Sequence, residues 1–112
     1  MKKIEAIIRQ ESLEPVKKAL EKESYFGMTV SEVCGRGRQK GYTLQWRTGE
    51  YCVDLIPKTK VELVVMDEDV NAVINAITRN AKSGEFGDGK IFIIPVESAL
   101  RIRTGDRNEN AI

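Results

Sequence analysis

The chain has 112 residues, 18 Lys plus Arg against 17 Asp plus Glu, two cysteines and no histidine. That length makes one domain able to bury about two thirds of its unfolded surface, so oligomerisation is optional for folding, and the balanced charge excludes a global pull onto nucleic acid or anionic membrane. Without histidine the commonest general base at neutral pH is missing, and Cys34 and Cys52 form neither a CxxC pair nor a zinc-type ligand set.

Residues 2–9 read as a first strand, with Ile4, Ala6 and Ile8 on one face and Ile7 and Arg9 on the other. The start, Met1-Lys2-Lys3-Ile4, runs into this strand rather than a signal-peptide core, and no run of eighteen apolar residues follows. The expected location is therefore cytoplasmic, with reduced thiols. Ser12 or Glu14 can cap a first helix in which Pro15 is tolerated and Leu13, Val16 and Leu20 share a face. Gly27 marks the end of that connection, and residues 28–34, with Thr29, Val30 and Val33, have the β-branched content of a second strand.

A connection of 25 residues, 35–59, follows, where hairpins usually need about two to five. It opens on Gly35-Arg36-Gly37-Arg38-Gln39-Lys40-Gly41, three glycines and three cations in seven residues. Residues 60–65 alternate as a third strand, with Val61, Leu63 and Val65 on one face. Asp67 to Asp69 supply capping and negative charge to a second helix, whose Val70, Val73, Ile74, Ile77 and Ala81 follow 3.6-residue spacing. Residues 82–89 form a turn-rich loop, residues 90–94 a fourth strand ended near Pro95, and Leu100 with Ile102 a short strand-like piece. The polar tail from Thr104 to Asn110 reads as mobile.

Strand, helix, strand, strand, helix, strand is the α+β, ferredoxin-like arrangement, a four-stranded antiparallel sheet with helices on one face. Strands that are apolar on both sides of the pleat predict cover for the second face, by self-association.

Three clusters suit phosphate: Gly35 to Gly41, Gly87-Asp88-Gly89-Lys90, and Arg101 with Arg103. Glycine lets backbone amides approach the oxygens, and cations neutralise the charge that gathers there. Gly84 to Lys90 has the spacing of a P-loop, but Ile91 stands where Ser or Thr would hold magnesium, and the loop runs from helix to strand rather than strand to helix. An RNA-binding reading fails because the fourth strand offers Phe92 alone, a residue better assigned to the core. Tyr42, Trp46 and Tyr51 with Arg47 in the long loop suit a protein-contact surface.

Gly37-Arg38-Gln39-Lys40-Gly41, Glu50-Tyr51 with Val53-Asp54, Pro57-Lys58, Gly87-Asp88-Gly89-Lys90-Ile91-Phe92 and Arg101-Ile102-Arg103-Thr104-Gly105 together resemble the PII nitrogen-regulatory signal-transduction family over the whole chain. The resemblance implies a single domain, residues 1–112, assembled as a ferredoxin-like homotrimer that binds ATP or ADP in clefts between subunits. It implies a T-loop at about residues 36–55, a nucleotide-binding loop at about 82–90 and a C-terminal segment at about 101–112. Mg2+ and 2-oxoglutarate would join ATP at the T-loop base.

By position, Gly87, Asp88, Gly89, Lys90, Arg101, Arg103 and Arg38 would surround the phosphates, while Ile7, Thr29, Gly35, Gly37 and Val64 would line the nucleotide. Gln39 would offer its side-chain oxygen to Mg2+. Lys58, Arg9 and Lys40 would pair with 2-oxoglutarate carboxylates beside Gln39 and the Gly41 backbone. Tyr51 matches a tyrosine that some members have uridylylated, and Arg47 a tip residue that some insert into an ammonium transporter. Other implied partners are nitrogen-metabolism enzymes, with no nucleic acid and no membrane contact except through a channel. Glu85-Phe86 replaces a pair that is usually basic then aliphatic, and Gly49 replaces a serine of cyanobacterial relatives. The implied role is non-catalytic. The alternatives are a nucleotide-hydrolysing enzyme using Asp88 or Glu62 as base, and a ferredoxin-like trimer of the metal-tolerance type that needs no nucleotide.

Overall fold

The computed structural model describes residues 1–36 and 55–112 in full, and for 42–46 and 49–53 the backbone alone. Its main sheet takes strands β1 (Lys2–Ile8), β2 (Thr29–Gly35), β5 (Ile56–Val65) and β6 (Gly89–Pro95) in the order β2-β5-β1-β6. Every pairing is antiparallel. Helices α1 (Leu13–Lys22) and α2 (Val70–Ala81) cover one face. The expected ferredoxin-like arrangement is the one observed.

The core follows from the alternation. Ile4, Ala6 and Ile8 on β1 and Val61, Leu63 and Val65 on β5 are buried against Val16 and Leu20 of α1 and Val73, Ala76 and Ile77 of α2. Each fully buried aliphatic side chain contributes about 1.5–3 kcal/mol. Because β1 and β5 alternate, Lys3, Glu5, Ile7, Lys60, Glu62 and Val64 point to the opposite, open face. There Lys3 bonds Glu62, and Lys60 lies 3.7 Å from Glu62 and 3.9 Å from Glu5.

Phe92 is not core. It is paired with Glu5, stands on the open face and is 48% exposed. Ile93 and Ile91 share the helix side of β6, so a strand apolar on both faces gave no sign of which set would be buried.

Several boundaries differ from expectation. The long connection is not structureless: β3 (Tyr42–Trp46) pairs antiparallel with β4 (Gly49–Val53), from Tyr42↔Val53 to Trp46↔Gly49. α1 ends well before Gly27. Ser24 takes a positive φ of 68°, and the Tyr25 amide returns to the Leu20 carbonyl at 2.9 Å. The capping positions Ser12 and Asp69 make no side-chain cap bond. Asp69 instead accepts from the Tyr25 hydroxyl at 3.0 Å, and Asp67 pairs with Lys2 at 3.5 Å, so both acids fasten neighbouring elements rather than the helix end.

The piece containing Leu100 and Ile102 is a turn rather than a strand, and the tail is folded. Leu100 bridges Arg107, the Asn108 amide bonds the Ala99 carbonyl at 2.8 Å, and the Arg101 amide bonds the Asp106 carbonyl at 2.9 Å. Cys34 is an exposed free thiol in register with Pro57; the side chain of Cys52 lies outside the described residues. Among the described residues no helix is long and apolar enough to cross a membrane.

Candidate functional site

The glycine loop between α2 and β6 is bonded both within itself and to the neighbouring strands. Asp88 organises it. Its carboxylate accepts from the Ser83 hydroxyl at 2.5 Å and from the Ser83 and Gly84 amides, each at 2.8 Å. These bonds, the Ser83 hydroxyl first, hold the Asp88 carboxyl down at about 2, with Arg9 adding its charge. Ser83 lies outside the three phosphate-suited clusters, and its place in the turn-rich stretch 82–89 is the signal that marks it.

Two glycines here approach other groups closely. Gly89 has φ +117°, and a Cβ on it would lie 1.9 Å from the Ile7 carbonyl oxygen. Gly87 has φ +93°, and a Cβ there would meet Lys58 Nζ at 3.3 Å and Arg9 Nη2 at 3.4 Å. That closeness reflects direct bonds. Lys58 Nζ donates to the Gly87 carbonyl at 2.6 Å, Arg9 Nη2 donates to the Phe86 carbonyl at 2.5 Å, and Arg9 Nε lies 3.5 Å from Asp88 Oδ1. The register pairing Ile8 with Thr59 leaves Arg9 beside Lys58 at one end of the two central strands, so two cations converge on one loop.

The remaining candidates divide between two ends of the sheet. Ile7, in register with Lys90, Gly35, in register with Ile56, and Lys58 lie toward the glycine loop. Thr29, paired with Glu62, and Val64, paired with Lys3, lie toward the other end. Val64 stands four residues, about 13 Å, from Lys60, the partner of Ile7. Arg101 and Arg103 lie beyond Pro95, and β6 alone spans about 20 Å from Gly89. Their segment closes on itself, through the Gly105 amide to the Arg101 carbonyl at 2.8 Å and Arg101 to Asp106 at 3.6 Å.

The profile of the family described as Nitrogen regulatory protein P-II matches residues 1–106. The chain belongs to the P-II family. It is 54% identical over 112 residues, the whole of this chain, to Nitrogen regulatory protein P-II 2 of Methanothermobacter thermautotrophicus, covering 97% of that protein. It is equally 54% identical, over the full length of both chains, to Nitrogen regulatory protein P-II of Pasteurella multocida and to that of Nostoc punctiforme.

Against the P-II expectations, Arg9, Lys58, Gly87, Asp88, Gly89, Lys90 and Ile7 come together at one end. Gly37, Arg38, Gln39, Lys40, Gly41 and Arg47 lie outside the described residues, as does the side chain of Tyr51. Asp88, expected beside phosphate, spends its oxygens on Ser83 and Gly84. Its folded pKa of about 2 lies below the ordinary 3.8. The order it gives the loop is thus fully present above about pH 3.8 and lost as pH falls toward 2. Amide protection factors at Ser83 and Gly84 are expected to collapse over that interval, and Asp88→Ala to lack protection at every pH.

Proposed function

We propose that this chain is a non-catalytic regulator of nitrogen metabolism, which senses ATP or ADP together with 2-oxoglutarate and acts on target proteins through residues 36–55. One observation carries this reading: a glycine loop gripped by two cations stands at one end of the open sheet face, with a second set of nucleotide candidates at the other end. A single chain does not join the sets. A homotrimer does so if one subunit supplies Ile7, Gly35, Gly87, Gly89 and Lys90 and its neighbour supplies Thr29, Val64, Arg101 and Arg103. Exposed Phe92 and Ile94 on the same open face support cover by further copies.

The glycine loop fits a polyphosphate, because its glycines permit close backbone approach beside Lys90, and Lys58 with Arg9 suit a dicarboxylate. The contributions of Arg38, Gln39, Lys40 and Gly41, and the place of Mg2+ on Gln39, rest on family membership alone. So do Tyr51 as a uridylylation site, Arg47 as a contact with an ammonium transporter, and a cytoplasmic protein that meets membranes only through such a channel.

Effectors act by binding the conformers of residues 36–55 with different affinity. Lys58 lies on β5 directly beyond that segment, where an effector bound to it can exert such a preference.

A hydrolase reading has weaker support. Lys3 holds Glu62 ionised and lowers its pKa, and the Ser83 and Gly84 bonds do the same for Asp88, so both are poor bases at neutral pH. Titration calorimetry with ATP and with ADP tests the proposal: one nucleotide per chain is expected, with slow or no turnover. Failure of both nucleotides to bind would favour the metal-tolerance type of trimer.

A further inference from the structure

The glycine loop is tied on one side by charge and borders a cavity on the other. On its helix side lies a cavity of about 310 Å³, lined by Ile77, Ala81, Gly89 and Ile91 among others. On the other side the loop meets two side chains from neighbouring strands: Arg9 at the Phe86 carbonyl and Asp88, and Lys58 at the Gly87 carbonyl.

We infer that Arg9 and Lys58, besides any contact with an effector, are positioning residues that latch the glycine loop and set the direction of its amides. A trans peptide points its carbonyl and the following N–H to opposite sides, and no cis peptide bond occurs among the described residues. Holding the Phe86 carbonyl therefore turns the Gly87 N–H away from Arg9, and holding the Gly87 carbonyl turns the Asp88 N–H away from Lys58. Arg9 secures a further point. Its Nε is buried without a hydrogen-bond partner, 3.5 Å from the Asp88 oxygen that accepts from the Ser83 hydroxyl. The loop's internal bonds and its external ties thus meet at Asp88.

The latch orders the loop before any ligand arrives, which lowers the ordering cost of binding one. It also makes the two cations common to both parts of the site: an anion that draws Arg9 or Lys58 away competes with the loop carbonyls. This second consequence rests on the proposed nucleotide role of the loop; the latch itself does not.

Amide hydrogen exchange of ligand-free protein tests it, with Lys58→Met and the conservative Lys58→Arg. In Lys58→Met the Ser83 and Gly84 amides, protected by Asp88, are expected to exchange at least about tenfold faster, the effect of losing one charge-assisted hydrogen bond. Exchange in β1 and β5 stays at the unmodified rate, which shows that the fold is intact, and Lys58→Arg restores most of the protection. ADP affinity falls several-fold in Lys58→Met with no effector present. Unmodified exchange at Ser83 and Gly84 in a folded Lys58→Met protein overturns the latch. If the unmodified protein binds no ADP, the nucleotide reading falls while the exchange result still decides the latch.

Discussion

Gly89→Ala is expected to destabilise the protein by more than about 4 kcal/mol, the range reserved for substitutions that break a structural element. The cause is steric before it is conformational. Alanine in a backbone of φ +117° carries a strain of about 1–3 kcal/mol. Its Cβ would also sit 1.9 Å from the Ile7 carbonyl oxygen, a backbone atom with no rotamer by which to move aside. β6 must then leave β1 at the point where Ile8 pairs with Gly89 and Ile7 with Lys90. Gly84→Ala separates the two causes, since Gly84 has φ +89° with nothing within 4 Å. That variant should lose only about 1–2 kcal/mol, the cost of one left-handed residue. Thermal unfolding of the two variants checks the pair, and equal losses would refute the steric explanation.

Lys58→Ala is expected to reduce 2-oxoglutarate binding by about thirtyfold or more, since truncating one side of a close charge pair costs about 2–5 kcal/mol. Lys58 is well placed for this role, on β5 beside Arg9 and within 2.6 Å of the Gly87 carbonyl. Nucleotide binding should weaken only several-fold, because the rest of the glycine loop remains. Calorimetric titration of 2-oxoglutarate and of ATP into the variant separates these effects. A parallel collapse of both would place Lys58 in the nucleotide contact itself.

Much of this fold was legible because period-2 alternation and a 3.6-residue stripe carry little ambiguity. Ile4, Ala6 and Ile8 on one strand, Val61, Leu63 and Val65 on another, and Val73 with Ile77 on a helix are buried where the pattern put them. Phe92 escaped because both sides of its strand are apolar, and alternation then gives no sign. The closed segment from Ala99 to Asn108 escaped because it depends on backbone bonds between residues whose side chains are mostly polar, and β3 and β4 escaped because the glycines and cations of residues 35–41 mark the whole connection as loop although Tyr42, Leu44 and Trp46 alternate. The glycines of the loop were readable as positions of close approach, since residue type alone marks them. Their neighbours were not. The grip of Arg9 and Lys58 on the Phe86 and Gly87 carbonyls joins residues far apart in sequence, and carbonyl acceptors leave no trace in residue identity.

The most direct test of the central claim, that this protein senses a dicarboxylate effector in combination with a nucleotide, is calorimetric titration of 2-oxoglutarate into the unmodified chain with and without Mg2+ and ATP. Heat of binding only when both are present is the predicted result. Equal 2-oxoglutarate binding to the nucleotide-free protein would contradict it.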